Sequence, residues 1–390
     1  MTKKIIGLIL PFILVAIITI PAFANANRLR QDSQEAGDLL GGVIELIMER
    51  YAGKSVTVDE LRDAALRGMA SILDDYSIFL NEEEVIEFSN NLTGRTIGIG
   101  ISMVANYNGQ IIISRVFPNS PAHQAGVQAG DFLMTIDGEP IILLAREEVS
   151  AIITNPTNPR VIIGVEREGL MHTFDILKAE IVIPTVTVSR LENLQEAAGL
   201  PNLEDFRIMQ ISSVGRNTAD DVRQELLNMQ QQNVRGLIID LRSNQGGYLD
   251  ITTEIANMLV PSGPVFHTVD INNRRNTQYS TLEEVPFEHM IVLINRFTAS
   301  AAEVIASAMQ DSDAAIIVGE QSYGKGLVQS VYTMADVGHL HLTTEIFYRR
   351  SGEAINNIGV IPNIFVQQSH IFGGQDDVLR RALEEITSNR

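Results

Sequence analysis

The 390-residue sequence contains no cysteine. That absence excludes thiol nucleophiles, disulfide bonds and thiolate zinc sites together. Basic residues are also scarce, since 29 lysines and arginines stand against 48 acidic residues and give a formal net charge of -19. A chain this acidic repels phosphate backbones and anionic lipid surfaces, so a nucleic-acid partner is not predicted.

Histidine is sparse as well. The sequence has seven histidines, and none has a second histidine four residues later. The segment HLH at residues 339–341 could place two imidazoles on one strand face, but no acidic ligand lies nearby in the sequence. We therefore predict no metal site.

A long apolar run occurs only at the N-terminus. MTKK is basic, the next sixteen residues are apolar, and AFANA offers A-x-A cleavage sites that end at Ala24 or Ala26. Residues 1–26 therefore predict a signal peptide; the alternative is an N-terminal membrane anchor, because residues 5–24 are long enough to span a bilayer. Either interpretation places the rest of the chain outside the cytoplasm, in the cell envelope and away from ATP. No cofactor is expected.

Helical spacing marks both ends of the chain behind this leader. Residues 27–90 carry apolar residues at helical intervals, and Thr57 with Glu60 forms the T-x-x-E signature of a helix start. Residues 371–390 predict a terminal amphipathic helix. A helical region near a leader is more often a packing or dimer surface than a site.

Two further regions lie between these helices. Residues 91–180 consist of short alternating strands with glycine punctuation, which is typical of a compact β-rich domain. Residues 181–370 alternate strands with helices, which predicts a sheet with parallel strands and sites at strand ends. The predicted fold class is a multi-domain α/β protein with an N-terminal helical region, a β-rich domain and an α/β domain with a mixed sheet.

Three polar loops follow apolar strand patterns in the α/β region. The glycine loop, residues 240–247 (DLRSNQGG), ends in paired glycines whose N–H groups could converge on an anion. The nucleophile segment, residues 295–303 (NRFTASAAE), places Ser300 at the start of a predicted helix. The third loop, GEQSYGKGLVQS, holds Lys325 between two glycines, and Gln329 follows four residues later. That spacing predicts one shared face in either a helix or a strand.

Ser300 needs a general base before it can attack a carbonyl, and no histidine lies within ten residues on its C-terminal side. A neutral lysine can serve, because desolvation disfavours the charged form of an amine. Small neighbours leave room for a peptide, and the positive end of a helix favours developing negative charge. Lys325 is therefore the candidate base.

Each of these signals has a structural alternative. A serine in TASAAE is most often a helix cap, and a lysine in GKG is usually a solvated turn. Residues 319–325 (GEQSYGK) also fit the phosphate-binding pattern G-x-x-x-x-G-K. Gly326 disfavours that interpretation, since it stands where Ser or Thr would hold magnesium.

The β-rich region resembles a bacterial PDZ domain. GIGI at residues 98–101 and SPAHQAGVQAGDFLMTIDGEPI carry the resemblance. It implies that the loop at residues 98–101 holds a peptide's terminal carboxylate while the extended peptide adds a strand to the sheet edge. The peptide-binding residues would be Gly98, Ile99, Gly100 and Ile101.

From about residue 55 to residue 366 the chain resembles the carboxyl-terminal processing peptidases, also called tail-specific proteases. LDDYSIFL, GLIIDLRSNQGG, NRFTASAAE, VGEQSYGKGLVQS and LTTEIFYRRSGEAINNIGVIPN match in order and spacing. The resemblance implies a serine endopeptidase with Ser300 as nucleophile and Lys325 as general base. Gln329 would orient the lysine amine, as the third member of a triad does.

The nucleophile segment departs from the family pattern N-x-x-S-A-S-A-S-E at two positions. Thr298 and Ala302 replace the outer serines, so Ser300 alone remains to carry the chemistry. The resemblance also implies oxyanion donors from Ala301 and from either Gly246 or Gly247.

The expected partners are protein or peptide substrates with free C-termini. A homo-oligomer is a further expectation, because N-terminal helical regions in this family often mediate self-association. The alternative function is a catalytically silent, peptide-binding scaffold of the same fold. Retention of Ser300, Lys325 and Gln329 together favours the enzyme.

Overall fold

The computed structural model describes residues 10–93, 95–105, 110–144, 146–182, 184–191, 200, 203–367 and 376–388. The chain divides into two compact units, one that ends at Phe79 and one that begins at Leu80. The basic start of the predicted leader lies outside the described residues. Among the helices that are described, none combines the length and the apolar character needed to cross a membrane.

The first unit is helical, as the spacing predicts. It contains helices α1 (Leu10–Arg50) and α2 (Val58–Ser71), and strand β1 (Ile78–Asn81) begins at its end. The predicted start of α2 is confirmed. The Thr57 N–H donates to the Glu60 carboxylate at 2.6 Å, and the Glu60 N–H donates to the Thr57 hydroxyl at 3.1 Å. Two helical N–H groups at this end are thereby satisfied.

The second unit opens with helix α3 (Glu82–Thr93) and continues into the predicted β-rich domain. The elements of that domain are β2 (Arg95–Gly98), β3 (Ile101–Ala105), β4 (Ile111–Val116), α4 (Pro121–Ala125), β5 (Phe132–Ile136), β6 (Glu139–Pro140), α5 (Arg146–Thr154), β7 (Arg160–Arg167), β8 (Leu170–Leu177) and β9 (Ala179–Val182).

The main sheet of this domain is antiparallel, with strand order β3-β4-β5-β7-β8. Its core includes Ile113, Val149 and Ile163, which are completely buried. Within the described residues β3 pairs only with β4, so β3 forms an edge of the sheet, and helix α5 lies beside it. A free sheet edge of this kind is what strand addition requires.

The remaining elements form the α/β domain. They are β10 (Val186–Arg190), β11 (Phe206–Ile211), α6 (Thr218–Gln231), β12 (Gly236–Asp240), α7 (Leu249–Leu259), β13 (Gly263–Asp270), β14 (Arg275–Ser280), β15 (His289–Ile294), α8 (Ala301–Asp311), β16 (Ile316–Gly319), β17 (Leu327–Met334), β18 (Gly338–Arg349), β19 (Ile364–Phe365) and α9 (Asp377–Ser388).

The central sheet of the α/β domain has strand order β10-β11-β12-β15-β16-β19. Strand β10 runs antiparallel to β11, and the others are parallel, which confirms the predicted mixed sheet. Alternate residues face opposite layers. Ile239 and Val292 belong to the core formed with α6, α7 and α8, whereas Ile238 and Ile291 pack with α9 on the other face. The predicted multi-domain α/β fold is confirmed.

A second, antiparallel sheet contains β13, β14, β17 and β18. Strand β17 begins at Leu327, so Gln329 lies within it while Lys325 lies in the irregular segment before it. The sequence argument assumed that both residues lie in one regular element and therefore share a face. Because Lys325 lies outside the strand, periodicity does not relate the directions of the two side chains. The packing of the segment around Lys325 sets its place instead.

Candidate active site

The three polar loops meet because of the order of strands in the central sheet. Strands β12, β15 and β16 are adjacent and parallel, and each leads directly into one of the loops. Carboxyl ends of neighbouring parallel strands lie at one edge of a sheet. Residues 320–326, hereafter the lysine loop, thus lie at the same edge as the glycine loop and the nucleophile segment.

Ser300 occupies a strained turn at the start of α8. Its φ of 57° and ψ of -122° lie outside the regions that side-chain-bearing residues ordinarily adopt. Such strain costs of the order of 1–3 kcal/mol and occurs preferentially at functional sites. The side chain is partly exposed, between the buried residues Ala299 and Ala301.

The glycine loop and the nucleophile segment are joined by backbone hydrogen bonds. The Ala299 N–H donates to the Asn244 carbonyl oxygen at 2.9 Å, and the Ser243 N–H donates to the Asn295 side chain, also at 2.9 Å. Asn244 and Asn295 are themselves buried. These bonds fix the two loops against each other around Ser300.

Thr298 has a structural task. It stands at the position where the family pattern carries a serine, and it is completely buried. Its hydroxyl donates to the Leu241 carbonyl oxygen at 2.9 Å and accepts the Asn295 N–H at 3.0 Å. This hydroxyl is therefore fully occupied in holding the turn.

The backbone of the glycine loop passes directly beside Ser300. A Cβ atom added to Gly246 would lie 2.8 Å from the Ser300 Cβ and 2.8 Å from the Ala301 nitrogen. Gly246 also has a φ of 94°, which disfavours residues with side chains. A glycine is required here by both criteria.

The two glycines differ in what their N–H groups do. The Gly246 N–H donates to the Asn244 side chain at 2.8 Å. Gly247 forms a parallel bridge with Val214, in which the Val214 N–H bonds to the Gly246 carbonyl and the Tyr248 N–H bonds to the Val214 carbonyl. In this bridge the N–H and C=O of Gly247 point away from Val214.

Glu303 connects Ser300 to the lysine loop. Its Oε2 accepts the backbone N–H groups of Ser300, at 2.8 Å, and Lys325, at 2.9 Å. Its Oε1 accepts the Gly324 N–H at 2.7 Å and the Ser322 hydroxyl at 2.5 Å. The carboxylate is completely buried. Burial raises the pKa of Glu303, and the four donors act in the opposite direction.

Sequence reasoning missed Glu303. The signal was present, because Ser300-Ala-Ala-Glu303 has the same spacing as the Thr57 and Glu60 pair that predicts the start of α2. The spacing predicts that the Ser300 N–H donates to the Glu303 carboxylate. It does not predict the two N–H donors of the lysine loop, which come from tertiary structure.

Lys325 is not part of a solvated turn. A Cβ atom on Gly326 would lie 2.3 Å from the Asn356 nitrogen, so the lysine loop packs tightly against the turn that contains Asn356. A strand, β17, follows this loop, whereas a phosphate-binding loop leads into a helix. The phosphate-loop alternative is therefore excluded by the fold.

The Gln329 side chain is held by the neighbouring strand. Its Nε2 donates to the Thr343 hydroxyl at 3.0 Å. His341, two residues earlier on β18, is buried, and burial, His339 and Lys325 together lower the pKa of His341. The rings of His339 and His341 stack with centroids 6.4 Å apart.

The predicted PDZ loop is fixed through its carbonyl groups. The Ile99 carbonyl accepts the Ala122 N–H at 2.9 Å, and the Gly100 carbonyl accepts the Phe117 N–H at 3.0 Å. Ile99 is completely buried in the domain core, and Ile101 is partly exposed. Gly98 and Gly100 are buried as well.

Comparison with known families covers the region that contains these loops. The profile of peptidase family S41 matches residues 205–366, which include the glycine loop, Ser300 and Lys325, and a PDZ profile matches residues 112–167. Residues 205–366 thus form a peptidase family S41 domain. The prediction of a PDZ-containing serine peptidase is thereby confirmed.

Curated relatives of this S41 peptidase are processing proteases. The carboxy-terminal processing protease CtpB of Bacillus subtilis is 29% identical over 374 residues, which cover 95% of this chain and 75% of that protein. The chloroplastic C-terminal processing peptidase of Tetradesmus obliquus is 28% identical over 311 residues, which cover 77% of this chain and 67% of that protein.

Solved structures share the fold of the S41 peptidase. The photosystem II D1 C-terminal processing protease superposes with a TM-score of 0.52 at 24% identity. The superposition covers 87% of this chain and 90% of the D1 processing protease. A putative S41 protease from Bacteroides fragilis gives a TM-score of 0.56 at 15% identity, over 89% of this chain and 97% of that one.

Proposed function

We propose that this S41 peptidase cleaves protein chains near their C-termini with Ser300 as nucleophile and Lys325 as general base. One observation carries the proposal: a single oxygen of the buried Glu303 accepts the backbone N–H groups of both Ser300 and Lys325. The two residues are 25 positions apart in the sequence, and this one atom holds their backbones side by side.

The neutral Lys325 amine takes the hydroxyl proton of Ser300 as Oγ attacks the scissile carbonyl carbon. The resulting oxyanion accepts hydrogen bonds from the N–H groups of Gly247 and Ala301. Ala301 is the first residue of α8, where helical N–H groups lack partners within the helix. The lysine then returns the proton to the leaving amine, and water releases the acyl group.

Gly247 rather than Gly246 is the proposed oxyanion donor of the glycine loop. The Gly246 N–H is already bonded to the Asn244 side chain, while the Gly247 N–H points away from its bridge partner Val214. Gln329 would orient the Lys325 amine, with its own amide group held by Thr343.

Peptide cleavage by a protein that lacks residues 1–26 tests the proposed dyad. Ser300→Ala and Lys325→Arg should abolish turnover, because arginine keeps the charge but cannot act as a base. Ser307→Ala, in the same helix, and Lys54→Arg, on the surface, are the matched controls and should retain it. Turnover by Ser300→Ala equal to the wild type would refute the dyad. An inactive wild type that still binds peptides would favour the scaffold alternative.

The PDZ domain is proposed to bind the substrate's C-terminal tail. The carbonyl groups of Ile99 and Gly100 accept hydrogen bonds from residues 122 and 117, respectively. The N–H side of the loop is therefore the side proposed to bind a terminal carboxylate. The tail would lie along the edge strand β3, with Ile101 contacting an apolar terminal side chain.

A pair of peptides that differ only at the C-terminus tests the tail binding. The peptide with a free carboxylate should have a KM about tenfold or more below that of its amide, because a charged hydrogen-bond acceptor is lost. Equal KM values for the two peptides would exclude carboxylate recognition and leave the dyad unaffected.

Export from the cytoplasm is the third part of the proposal. It rests on the basic, apolar and A-x-A sequence of residues 1–26. N-terminal sequencing of the protein from cells tests it: removal of the leader predicts a first residue of Asn25 or Asn27. An intact Met1 on protein accessible to external protease would support the anchor instead.

A further inference from the structure

Arg242 in the glycine loop forms a buried, doubly bidentate ion pair. Its Nε and Nη2 donate to Asp240 at 2.9 and 2.7 Å. Its Nη1 donates to both carboxylate oxygens of Asp376, at 2.9 and 2.7 Å. The exposed fractions of the Arg242, Asp240 and Asp376 side chains are 12%, 7% and 15%. These well-oriented hydrogen bonds offset the desolvation cost of burying the three charges.

Asp376 is anchored independently of the glycine loop. It caps the C-terminal helix α9, because its Oδ1 accepts the Leu379 N–H at 3.0 Å and its carbonyl accepts the Arg380 N–H at 2.8 Å. Helix α9 in turn is packed under the sheet through the buried side chains of Val378 and Leu383. The position of the Asp376 carboxylate, which Arg242 of the glycine loop contacts, is therefore fixed by helix α9.

The loop that Arg242 belongs to is strained at the next residue. Ser243 has a φ of 59°, a left-handed conformation that costs of the order of 1 kcal/mol or more outside glycine. The turn is held on one side by the ion pair at Arg242 and on the other by Asn244, which donates to the Ile211 carbonyl at 2.9 Å. Four residues after this turn comes Gly247.

We infer that helix α9 positions the oxyanion donor of the glycine loop through the Asp376–Arg242 ion pair. Arg242 and Asp376 are positioning residues, since neither touches the reacting atoms. This inference rests on the proposed function, in which the Gly247 N–H stabilises the oxyanion. It assigns the C-terminal helix, 134 residues from Arg242, a part in catalysis as well as in packing.

Asp376→Asn is the primary test in the protein that lacks residues 1–26. Asparagine caps helices as well as aspartate does, so α9 should keep its start while the ion pair loses its charge. We expect kcat to fall about 10- to 100-fold with KM within about twofold, because a displaced oxyanion donor weakens binding of the transition state alone. Affinity for a peptide aldehyde, whose adduct with Ser300 carries the oxyanion, should fall by the same factor.

Two controls separate positioning from general stability. Asp311→Asn breaks a second deeply buried Arg–Asp pair of this domain, in which the side chains of Asp311 and Arg349 are 10% and 13% exposed. It should lower the melting temperature about as much as Asp376→Asn while kcat stays at the wild-type value. Glu385→Gln removes the Arg381 pair on α9 itself and should change neither quantity appreciably.

A second variant covers the case in which Asp376→Asn fails to fold. Arg242→Lys keeps the charge and loses the bidentate geometry, so it should give a smaller kcat loss with the same unchanged KM. The inference is overturned if a folded Asp376→Asn or Arg242→Lys protein keeps wild-type kcat and aldehyde affinity, or if Asp311→Asn loses kcat equally. Activity of Ser300→Ala would instead refute the proposed function, and the two failures are thus distinguishable.

Discussion

At the residue scale, a buried carboxylate, Glu303, holds the backbone of the candidate site. Glu303 accepts four hydrogen bonds, two of them from lysine-loop residues that precede Lys325, Ser322 and Gly324. All four partners are donors. Three are backbone N–H groups, and the fourth is the Ser322 hydroxyl, whose oxygen accepts the Val360 N–H at 2.6 Å while its proton is donated to Glu303. The network therefore needs an acceptor at both carboxylate oxygens.

Glu303→Gln is expected to disable the site. One end of the amide would present N–H groups to N–H or O–H donors, which loses two bonds and adds repulsion. We expect the free energy of unfolding to fall by about 2–4 kcal/mol. We also expect kcat to fall about 100-fold, because Ser300 and Lys325 lose the acceptor atom that their backbone N–H groups share. Thermal unfolding and peptide turnover measure the two effects. Ser322→Ala, which removes one donor, should be milder, and the reverse order would contradict this account.

Thr343→Val should reduce turnover about fivefold with little loss of stability, because the Gln329 amide loses one neutral hydrogen bond. The neighbouring Thr344→Val is the matched control, since Thr344 pairs with Ser330 at 2.7 Å. Turnover by the two variants is compared at saturating substrate. Equal rates would show that Thr343 does not orient Gln329.

At the scale of elements, the site is a product of strand order. Strands β12, β15 and β16 come from distant parts of the sequence and lie side by side, so three loops converge although none is near another along the chain. An ion pair between residues far apart in the sequence likewise joins parts of the PDZ domain. Arg167 at the end of β7 forms a bidentate pair with Asp131 at 2.6 and 2.7 Å and also donates to the Gly126 carbonyl at 3.0 Å.

Asp131→Asn should destabilise the PDZ domain by about 2 kcal/mol near neutral pH. Asp131 is 1% exposed; burial alone would raise its pKa, but the bonds from Arg167 and the Gln128 N–H outweigh burial and lower the pKa. A lowered folded-state pKa gives stability that is present above the unfolded value, about 4, and is lost as the pH falls through the folded value. The difference in melting temperature between wild type and variant should be constant from pH 7 to about 5 and shrink below about pH 4. A difference independent of pH would contradict the ion pair.

At the scale of the whole molecule, helix α1 leaves an apolar stripe in solvent. Leu39, Val43 and Leu46 follow each other at four and three residues, and their exposed fractions are 70%, 44% and 59%. That spacing puts them on one helical face. The predicted self-association of the N-terminal region has a candidate surface here.

Leu39→Glu combined with Leu46→Glu should reduce self-association by placing charges on this stripe. Sedimentation velocity of the protein without residues 1–26 measures the oligomeric state. Glu45→Gln, on the same helix, is the control and should leave that state unchanged. A monomeric wild type would refute the prediction of a homo-oligomer, and an oligomer that survives the double variant would place its interface elsewhere.

The sequence by itself determined the layers of the fold and supplied the candidates for the reacting groups. Strand patterns such as GLIID are informative because strands buried on both faces must be continuously apolar, and β12 is buried throughout. A lone serine among small residues and a lysine between glycines restrict the chemistry, because the missing cysteine and the absence of a nearby histidine leave few other choices.

The tertiary structure alone decided how those groups are held. No spacing relates Glu303 to the N–H of Lys325 or Arg242 to Asp376, because these contacts depend on where strands and helices pack. The same holds for the two glycines, which differ only through their partners Asn244 and Val214. Local sequence sets secondary structure through short-range sterics and periodicity, whereas catalysis needs sub-ångström placement that only long-range packing supplies.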